Sequence, residues 1–371
     1  MSQAAALVEG GYRAAGYATV SIDDCWSSRA RAADGRLVAD PARFPRGLPA
    51  LAAALRQLNV SLGVYLDIGN LTCARFPGSA GHLREDAQMV AAVGAAYVKV
   101  DGCWEEPRRM ARDYAALGRE LAALPHEVVF SCSWPAYLVG VAEADKPFRA
   151  MRDAGCDLWR NWQDIQCSYR SLRRIVNHFG DASEALARKF TGGFNDMDML
   201  LIGAGCLSDA EERMQMAVWS VMAAPLIMGN DLRAVPARSR ELLLNRKAIA
   251  INQDRSRPGF RVARLGAAEL WQRELQDGSV AVALVNKARH AANLTLHLER
   301  WFDGPVRVEA AFAAEAATAA APQEAEVVSG GALVLPVDAH GAELLLLRGR
   351  RKPAAARHDQ LSREQLVLVR E

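Results

Sequence analysis

The chain has 371 residues, of which 51% are apolar, and its 45 Lys and Arg against 43 Asp and Glu leave a formal net charge of +2. Nucleic acid is therefore not expected as the main partner, because a surface that binds it usually shows as a basic excess. We also expect no membrane span, since no apolar run approaches the roughly 20 residues that a spanning helix needs.

Short apolar runs, each followed by a polar cluster, recur through the first part of the chain. These runs lie at 18–22, 61–66, 96–100, 128–130, 157–159, 189–194 and 225–228. Amphipathic stretches with helical spacing fill the gaps, at 47–58, 84–93 and 105–124. Strand–helix repeats build a parallel sheet, and their number favours a (β/α)8 TIM barrel over a doubly wound sheet. In such a barrel the active site lies where the strands end.

The strand count is one short of a closed barrel. A TIM barrel closes with eight strands, whereas seven runs are found and the first predicted helix, 1–15, starts at the first residue. We therefore expect that the first strand is lacking and that the chain is an incomplete gene product.

The pattern changes after about residue 258. Short alternating runs at 269–274, 280–286, 293–297, 306–311, 331–337 and 342–348 predict an antiparallel β-sandwich. The Ala-rich stretch 313–326 is expected to be a loop. We therefore divide the chain into a barrel domain (1–258), a sandwich domain (259–349) and a charged tail (350–371) that is solvated or a peripheral helix.

The segment 97–101 (YVKVD) carries two charged residues, with one residue between them. Because strand side chains alternate, Lys99 and Asp101 share one face and both can point into the barrel mouth. A charge on that inward face is costly unless it has a task or a partner. The simpler alternative is a buried ion pair between the two.

A second candidate carboxyl, Asp164, follows the run at 157–159, with Arg160 available to hold a substrate oxygen; the alternative is a surface Arg–Asp pair. Further acids at strand ends are Asp23, Asp24, Asp67, Asp196 and Asp198. Carboxylates together with Trp and Tyr suit a polyhydroxylated ring, and two opposed carboxyl groups are the minimum equipment for glycoside hydrolysis. The competing use is a divalent metal site made from Asp23, Asp24, Asp196 and Asp198, although no metal-binding motif supports it.

Several ordered strings resemble glycoside hydrolase family 27, the α-galactosidases and α-N-acetylgalactosaminidases. The matching strings are 21–26 (SIDDCW), 39–45 (ADPARFP), 65–70 (YLDIGN), 99–103 (KVDGC), 131–137 (SCSWPAY), 159–161 (WRN) and 248–254 (AIAINQD). A set in this order is far more specific than any single motif. The resemblance implies a retaining mechanism in which Asp101 is the nucleophile and Asp164 the general acid/base.

The same resemblance implies which residues line the sugar site. These are Asp23, Asp24, Tyr65, Cys73, Lys99, Ser133, Ala136, Tyr137, Arg160, Asp198 and Met199. In the α-galactosidases of this family, Glu and Leu fill the positions of Ser133 and Ala136. Because both are small here, the resemblance favours release of terminal α-linked N-acetylgalactosamine, and of galactose as well, from a glycan, glycoprotein or glycolipid. The alternatives are an α-galactosidase, or a catalytically silent sugar-binding relative, since the first strand and its tryptophan are missing.

The resemblance also implies two disulfides, Cys73–Cys103 and Cys132–Cys156. Cys25, Cys167 and Cys206 are left without assigned partners. Disulfides persist in oxidising compartments, and the triplets at 59–61, 70–72 and 293–295 permit N-glycosylation. We therefore expect a lysosomal or secreted glycoprotein whose targeting sequence is absent from this chain. The resemblance favours a homodimer and implies neither a metal nor an organic cofactor.

Overall fold

A computed structural model describes residues 1–312, 326–328, 331–352 and 366–369. The chain forms two compact units. The first comprises Met1–Gln163 and Thr191–Asp196, and the second comprises Asp164–Phe190 and Met197–Glu371. The domain boundaries predicted from the sequence pattern remain a prediction.

The first unit contains a six-stranded parallel sheet whose strands follow one another in chain order. The strands are β1 (Thr19–Ser21), β2 (Ser61–Asp67), β3 (Tyr97–Asp101), β4 (Val129–Cys132), β5 (Leu158–Arg160) and β6 (Phe194–Asp196). Neighbouring pairs are all parallel, as strand–helix repeats require. Six of the seven predicted strands therefore form. β6 begins later than predicted, because 189–193 includes Gly192 with φ 101 and Gly193, a pair that suits a turn.

Helices alternate with these strands. They are α1 (Ser2–Glu9), α2 (Gly47–Gln57), α3 (Leu83–Val93), α4 (Pro107–Ala122), α5 (Trp134–Tyr137) and α6 (Phe148–Asp153), with 3-10 turns at Arg13–Ala15 and Glu143–Asp145. The single helix predicted for 1–15 is wrong, since Gly10 and Gly11, the latter with φ 83, end α1 after Glu9. α2, α3 and α4 form within two residues of their predicted bounds.

The second unit begins with helices. They are α7 (Tyr169–Arg188), α8 (Asp209–Met222), α9 (Ala237–Leu243) and α10 (Arg246–Gln253), with a 3-10 turn at Leu232–Ala234. Ser208 caps α8 through a capping box with Glu211. The strand predicted at 225–228 is wrong: Met228 makes only an isolated parallel bridge to Leu200. Pro225 lacks the N–H that a ladder needs at that position.

Two antiparallel sheets complete the second unit. Their strands are β7 (Phe260–Leu265), β8 (Ala268–Glu274), β9 (Val280–Asn286), β10 (Ala292–His297), β11 (Phe302–Ala310), β12 (Glu326–Val328), β13 (Ala332–Val337), β14 (Ala342–Arg351) and β15 (Leu366–Val369), with a 3-10 turn at Leu298–Arg300. One sheet has the order β12-β11-β14-β9-β8-β7 and the other β13-β10-β15. Val282 and Leu345 from the first sheet share a buried core with Leu294 and Val337 from the second, which makes this a sandwich.

Two predictions fall partly or wholly outside the described residues. The predicted loop 313–326 lies there except for Glu326, which begins β12. Within the predicted tail 350–371, Arg350 and Arg351 end β14, and Leu366–Val369 is a strand paired with β10. The alternative of a peripheral helix is therefore wrong for 366–369, where an unbroken Leu-Val-Leu-Val run favours a strand.

Among the described residues, no helix combines the length and the apolar character needed to cross a bilayer.

Candidate active site

The candidate site of the first unit is built on the ends of β2 and β3. In the parallel register Tyr65 pairs with Lys99 and Asp67 pairs with Asp101. These four side chains lie on one face of the two strands, because the face alternates with each residue. The strand ends thus bring a phenol, an ammonium group and two carboxyl groups together.

Asp101 is held by hydrogen bonds to both carboxylate oxygens. The Tyr137 hydroxyl donates to Oδ1 at 2.6 Å, and the backbone N–H of Gly102 donates to the same oxygen at 3.1 Å. Tyr65 Oη lies 3.3 Å from Oδ2. Burial, and then the charge of Asp101, raises the pKa of both tyrosines well above the usual value, so the phenols keep their protons and act as donors. The carboxylate of Asp101 is therefore fixed in place.

Asp67 is a neighbour of Asp101 that the sequence analysis placed at a strand end but not in the sugar site. Its side chain is 1% exposed, and it accepts backbone N–H bonds from Gly69 at 2.9 Å and Cys103 at 3.1 Å. Burial outweighs these bonds and, with the charge of Asp101, raises the pKa of Asp67 to about 8. Tyr65 Oη lies 3.4 Å from its Oδ2, so Asp67 is linked to Asp101 through one hydroxyl.

A disulfide closes one side of this cluster. Cys73 and Cys103 are bonded, as the resemblance implied. Cys103 Sγ lies 3.2 Å from Tyr137 Oη, and Cys73 Sγ lies 3.5 Å from Tyr65 Oη. The bond thus joins the loops after β2 and β3 beside both phenols. We call Tyr65, Asp67, Asp101, Tyr137 and this disulfide the strand-end cluster.

Lys99 does not form the ion pair with Asp101 that was the simpler alternative. Its Nζ donates to Asp23 Oδ2 at 2.8 Å and stands 5.3 Å from the centroid of the Tyr65 ring. Burial disfavours the ammonium group, but the negative charges of Asp23 and Asp101 outweigh this, and the pKa of Lys99 is raised. Lys99 therefore stays cationic and is paired with Asp23.

Asp24 is fixed by backbone donors. The N–H of Ala74 reaches its Oδ2 at 2.8 Å, and the N–H of Cys25 reaches Oδ1 at 2.6 Å. The loop after β1 is thereby tied to the loop that carries Cys73. Among the described cysteines, Cys25 alone forms no disulfide.

The short helix α5 presents the residues expected to select the sugar. Ser133 is its N-cap and is 4% exposed, while Ala136 and Tyr137 are partly exposed. A Pro at the second helical position suits a helix start, because its missing N–H would have no partner there. The backbone N–H of Ser133 donates to Val100 O at 3.1 Å, which ties α5 to β3. This contact places Tyr137 against Asp101.

A buried amide network lies beneath Arg160, at the end of β5. Asn161 donates to Glu143 at 3.1 Å and to Asn195 at 2.8 Å, and its carbonyl accepts from Lys146 at 2.6 Å. Arg160 itself donates to the Trp162 carbonyl at 3.3 Å. A second disulfide, Cys132–Cys156, also expected from the resemblance, links the end of β4 to the segment between α6 and β5.

Asp164, Asp198 and Met199 belong to the second unit. Asp164 is exposed. Asp198 is 5% exposed and has φ 78, and its carboxylate accepts the N–H of Ile165 and the N–H of Met199, each at 2.7 Å. The left-handed backbone of Asp198 is one that Asp tolerates better than most residues do. These bonds fix the segment that follows Asp164.

A third disulfide, Cys167–Cys206, joins the same segment to the loop before α8. The sequence analysis left both cysteines without partners. Their separation of 39 residues follows no local motif, and with three unassigned cysteines the sequence left this pairing open.

One group of side chains in the described structure has atoms close enough for a metal ion. It consists of Asp67, Asp101, Cys73 and Cys103, with ligand atoms within 4.8 Å of one another. Both sulfurs belong to a disulfide and offer no thiolate. The donor set therefore does not fit a thiolate-bound metal. Asp23 and Asp24, from the metal alternative, are engaged by Lys99 and by backbone N–H groups.

Comparison with known proteins decides the family. A family model described as alpha galactosidase A matches residues 1–254, and one described as the alpha galactosidase C-terminal beta sandwich domain matches 265–347. This chain belongs to glycoside hydrolase family 27. It is a glycoside hydrolase.

Curated relatives of this glycoside hydrolase carry two names. An alpha-N-acetylgalactosaminidase from Gallus gallus is 36% identical over 337 residues, which cover 90% of this chain and 80% of the relative. The alpha-N-acetylgalactosaminidase of Homo sapiens is 41% identical over 256 residues, covering 68% of this chain and 62% of the relative. Alpha-galactosidase A of Homo sapiens is 38% identical over 290 residues, covering 77% and 67%.

Solved structures support the fold class of this glycoside hydrolase. Alpha-galactosidase I from Mortierella vinacea superposes with a TM-score of 0.83 at 26% identity, covering 95% of this chain and 92% of that one. The predicted combination of a (β/α)8-type barrel and a C-terminal antiparallel sandwich is confirmed.

Proposed function

We propose that this glycoside hydrolase is a retaining exo-glycosidase that releases terminal α-linked N-acetylgalactosamine from glycans, glycoproteins or glycolipids. The observation that carries the proposal is the Asp101 carboxylate, held at the end of β3 by Tyr65 and Tyr137 beside the small residues of α5. A carboxylate fixed in this way suits attack on an anomeric carbon, because it is oriented before the substrate arrives.

In the first step, an oxygen of Asp101 forms a bond to the anomeric carbon as the bond to the leaving oxygen breaks. Asp164 gives its proton to that oxygen, so the aglycone departs as a neutral alcohol. The Tyr65 and Tyr137 hydroxyls position the nucleophile. The products of this step are a covalent glycosyl-enzyme and an ionised Asp164.

In the second step, Asp164 takes a proton from water as the water oxygen attacks the same carbon and releases Asp101. Two inversions leave the α configuration unchanged. This sequence needs the carboxyl groups of Asp101 and Asp164 to lie about 5–5.5 Å apart when substrate is bound.

The remaining site residues would recognise the sugar hydroxyls. The Lys99–Asp23 pair combines donors and acceptors in one place. Asp24, Arg160, Asp198 and Met199 complete the set of expected contacts, and Cys73 lies against Tyr65. We propose this assignment from the matching strings, and it is supported by the hydrogen bonds within the strand-end cluster.

Specificity for the acetamido group rests on Ser133 and Ala136. The Ser133 hydroxyl can donate to the acetamide carbonyl, and Ala136 leaves space for its methyl group. Larger side chains at both positions would occupy that space. Galactose is the second candidate, because relatives with comparable identity carry the name alpha-galactosidase.

The test compares hydrolysis of nitrophenyl α-N-acetylgalactosaminide and nitrophenyl α-galactoside by the same preparation. We expect the higher kcat/KM for the acetamido substrate, and a reversed preference in the double variant Ser133→Glu with Ala136→Leu. Val139→Leu, at a 90% exposed position just beyond α5, is the matched control and should keep the original preference. An unchanged preference in the double variant would refute the role of these two residues.

We further propose that the enzyme works in an oxidising compartment, lysosomal or secreted. The support is the set of three disulfides among the described residues. Thiol titration of the denatured, unreduced protein should find one free cysteine of the seven in the chain. Finding seven thiols in active enzyme would contradict this. The homodimer remains a prediction.

A further inference from the structure

A separate cleft of about 590 Å³ lies in the second unit, between the end of α7 and strands β7 and β8. None of its lining residues belongs to the proposed sugar site. Its charged lining consists of Arg188, Arg257, Arg273, Arg300, Glu184 and Glu274. We call it the arginine cleft. Pro258, Phe260 and Leu275 supply apolar surface.

Both carboxylates of the cleft are already paired. Glu184 bonds Arg188 at 2.5 Å, and Glu274 bonds Arg351 at 2.7 Å. The positive charge of the other lining arginines is therefore not neutralised from within the cleft wall, and the arginine cleft carries an excess of positive charge.

Arg300 is the unusual member of this group. It is only 7% exposed, yet among the described residues it has neither a hydrogen-bond acceptor nor a carboxylate partner. Its described side-chain contact is a cation–π contact, in which the guanidinium carbon lies 5.5 Å from the centroid of the Trp301 ring. Burial lowers the pKa of Arg300 to about 10, so it is still cationic at neutral pH. A buried guanidinium without an anion is costly, and a bound oxyanion would remove that cost.

Ser256 supplies a second, independent sign of an unfilled site. Its hydroxyl oxygen is buried and has no hydrogen-bond partner in the described structure, although the residue lines the same cleft. Buried hydroxyl groups normally have a partner. Ser256 and Arg300 thus line one cavity, and each has unused hydrogen-bonding capacity.

The loop that carries Ser256 is fixed rather than loose. The Arg273 guanidinium is 1% exposed and donates to the carbonyls of Ile251 at 2.6 Å, Asp254 at 2.6 Å and Ser256 at 3.0 Å. Arg273 is thereby used structurally and holds the loop. The exposed Arg257, next in the chain, has no described ion pair and stands at the cleft wall.

We propose that the arginine cleft binds an acidic saccharide unit, a pyranose-sized ring that bears a carboxylate or a sulfate group. Arg300 would receive the oxyanion, with Arg257 at the rim and the Ser256 hydroxyl as a further donor. Phe260 and Leu275 would contact the ring. The volume suits a ligand of this size. This second site does not depend on the sugar that the catalytic site accepts.

The test measures binding of glucuronate and of glucose to the full chain by isothermal titration calorimetry. The two probes share a ring and differ in the carboxylate. We expect saturable binding of glucuronate, weaker binding of glucose, and a loss of at least about tenfold in glucuronate affinity for Arg300→Gln. Arg257→Gln alters an exposed side chain and leaves the core untouched. It should lose less glucuronate affinity than Arg300→Gln, and this loss should be smaller still at high salt.

Arg289→Gln is the matched control, because Arg289 is an exposed arginine of the same sandwich that does not line the cleft. It should bind glucuronate like the unaltered chain. Equal affinity for glucuronate and glucose, no binding of either, or unaltered affinity in both Arg300→Gln and Arg257→Gln would overturn the proposal. Inorganic sulfate binding as tightly as glucuronate would overturn the role of the ring.

Hydrolysis of the nitrophenyl substrates, measured on the same preparations, separates this proposal from the proposed function. Arg300→Gln and Arg257→Gln should hydrolyse them at the unaltered rate, so a failure of either proposal shows in its own measurement.

Discussion

In the strand-end cluster every carboxylate oxygen of Asp67 and Asp101 has a described donor. In the arginine cleft, Arg300 has no described acceptor and the Ser256 hydroxyl has no described hydrogen-bond partner. Both regions bury polar groups, but they satisfy them differently. Groups with partners are oriented before a substrate arrives, and this is what a chemical step requires. Buried polar groups without partners lower the stability of the protein without ligand. A complementary ligand that binds them restores that stability. The difference supports our proposals of a chemical step at the first region and of ligand binding at the second.

The largest effect is expected from Asp101→Asn, which keeps the shape of the side chain in the strand-end cluster but removes the oxygen that we propose as the nucleophile. Turnover should fall by about four orders of magnitude or more, as for loss of a catalytic group in other hydrolases. The thermal unfolding transition should stay cooperative. Initial rates on both nitrophenyl substrates are the measurement. Near-normal turnover would remove Asp101 from the mechanism and with it the contrast between the two regions.

The next effect concerns the disulfide that closes the strand-end cluster. Replacing Cys73 and Cys103 together by Ala frees a loop with a sequence separation of 30. The chain-entropy relation gives a loss of roughly 3–4 kcal/mol in the free energy of unfolding. Because the bond lies against Tyr65 and Tyr137, we expect kcat to fall as well. Urea denaturation and kinetics on the double variant measure the two losses.

The pair Cys132–Cys156, with a separation of 24, is the matched comparison. Its removal should cost a similar amount of stability, with a smaller effect on kcat, because it does not contact the phenols that hold Asp101. Equal losses of kcat in the two double variants would show that the first disulfide acts only through stability.

Much of this first region could be predicted from the sequence. A strand alternates its faces, so the spacing of Lys99 and Asp101 already placed both on one side, and the charged end of an apolar run marked the strand end. The partner of Lys99 could not be predicted in the same way. Asp23 lies 76 residues away, and only the parallel sheet brings β1 and β3 close enough for the ion pair.

The second region could not be predicted from any pattern. Arg300 ends the 3-10 turn after β10, whereas Ser256 lies just after α10. Nothing in the spacing of these two residues along the chain relates them. A buried arginine without an acceptor becomes visible only once its surroundings are known. Cys167 and Cys206 illustrate the same point, since their pairing depends on how the segments before α7 and α8 are folded.

A graded effect is expected when the donors of Asp101 are removed one at a time. Tyr137→Phe deletes a bond of 2.6 Å to Oδ1, and Tyr65→Phe deletes a longer contact of 3.3 Å to Oδ2. A hydrogen bond to a charged group contributes about 1.5–3 kcal/mol, so kcat should fall about 10–100-fold in Tyr137→Phe and less in Tyr65→Phe. Steady-state kinetics test this order. The reverse order would mean that Tyr65, through its link to Asp67, is the more important support.

The last effect is a change in how stability depends on pH, and it probes the protonated neighbour of the proposed nucleophile. Burial raises the pKa of Asp67 from its ordinary 3.8 to about 8. The folded state holds the proton of Asp67 more tightly than the unfolded chain does. The contribution of this proton to the free energy of unfolding is therefore complete below pH 3.8 and is lost as the pH rises towards 8. The loss is at most about 1.4 kcal/mol for each pH unit.

The Asn side chain of Asp67→Asn cannot titrate, so this variant should lack the pH dependence of stability that Asp67 causes. Its free energy of unfolding should therefore rise relative to that of the unaltered chain as the pH is raised from 5 to 8. Urea denaturation at each pH measures the difference. Asp145→Asn, at an exposed carboxyl of the same unit, is the control and should follow the unaltered chain. If both variants show the same pH dependence, Asp67 is ionised throughout that range, and its bonds to the N–H groups of Gly69 and Cys103 outweigh burial. The nucleophile would then have a second negative charge as its neighbour, and the strand-end cluster would need Lys99 to balance both.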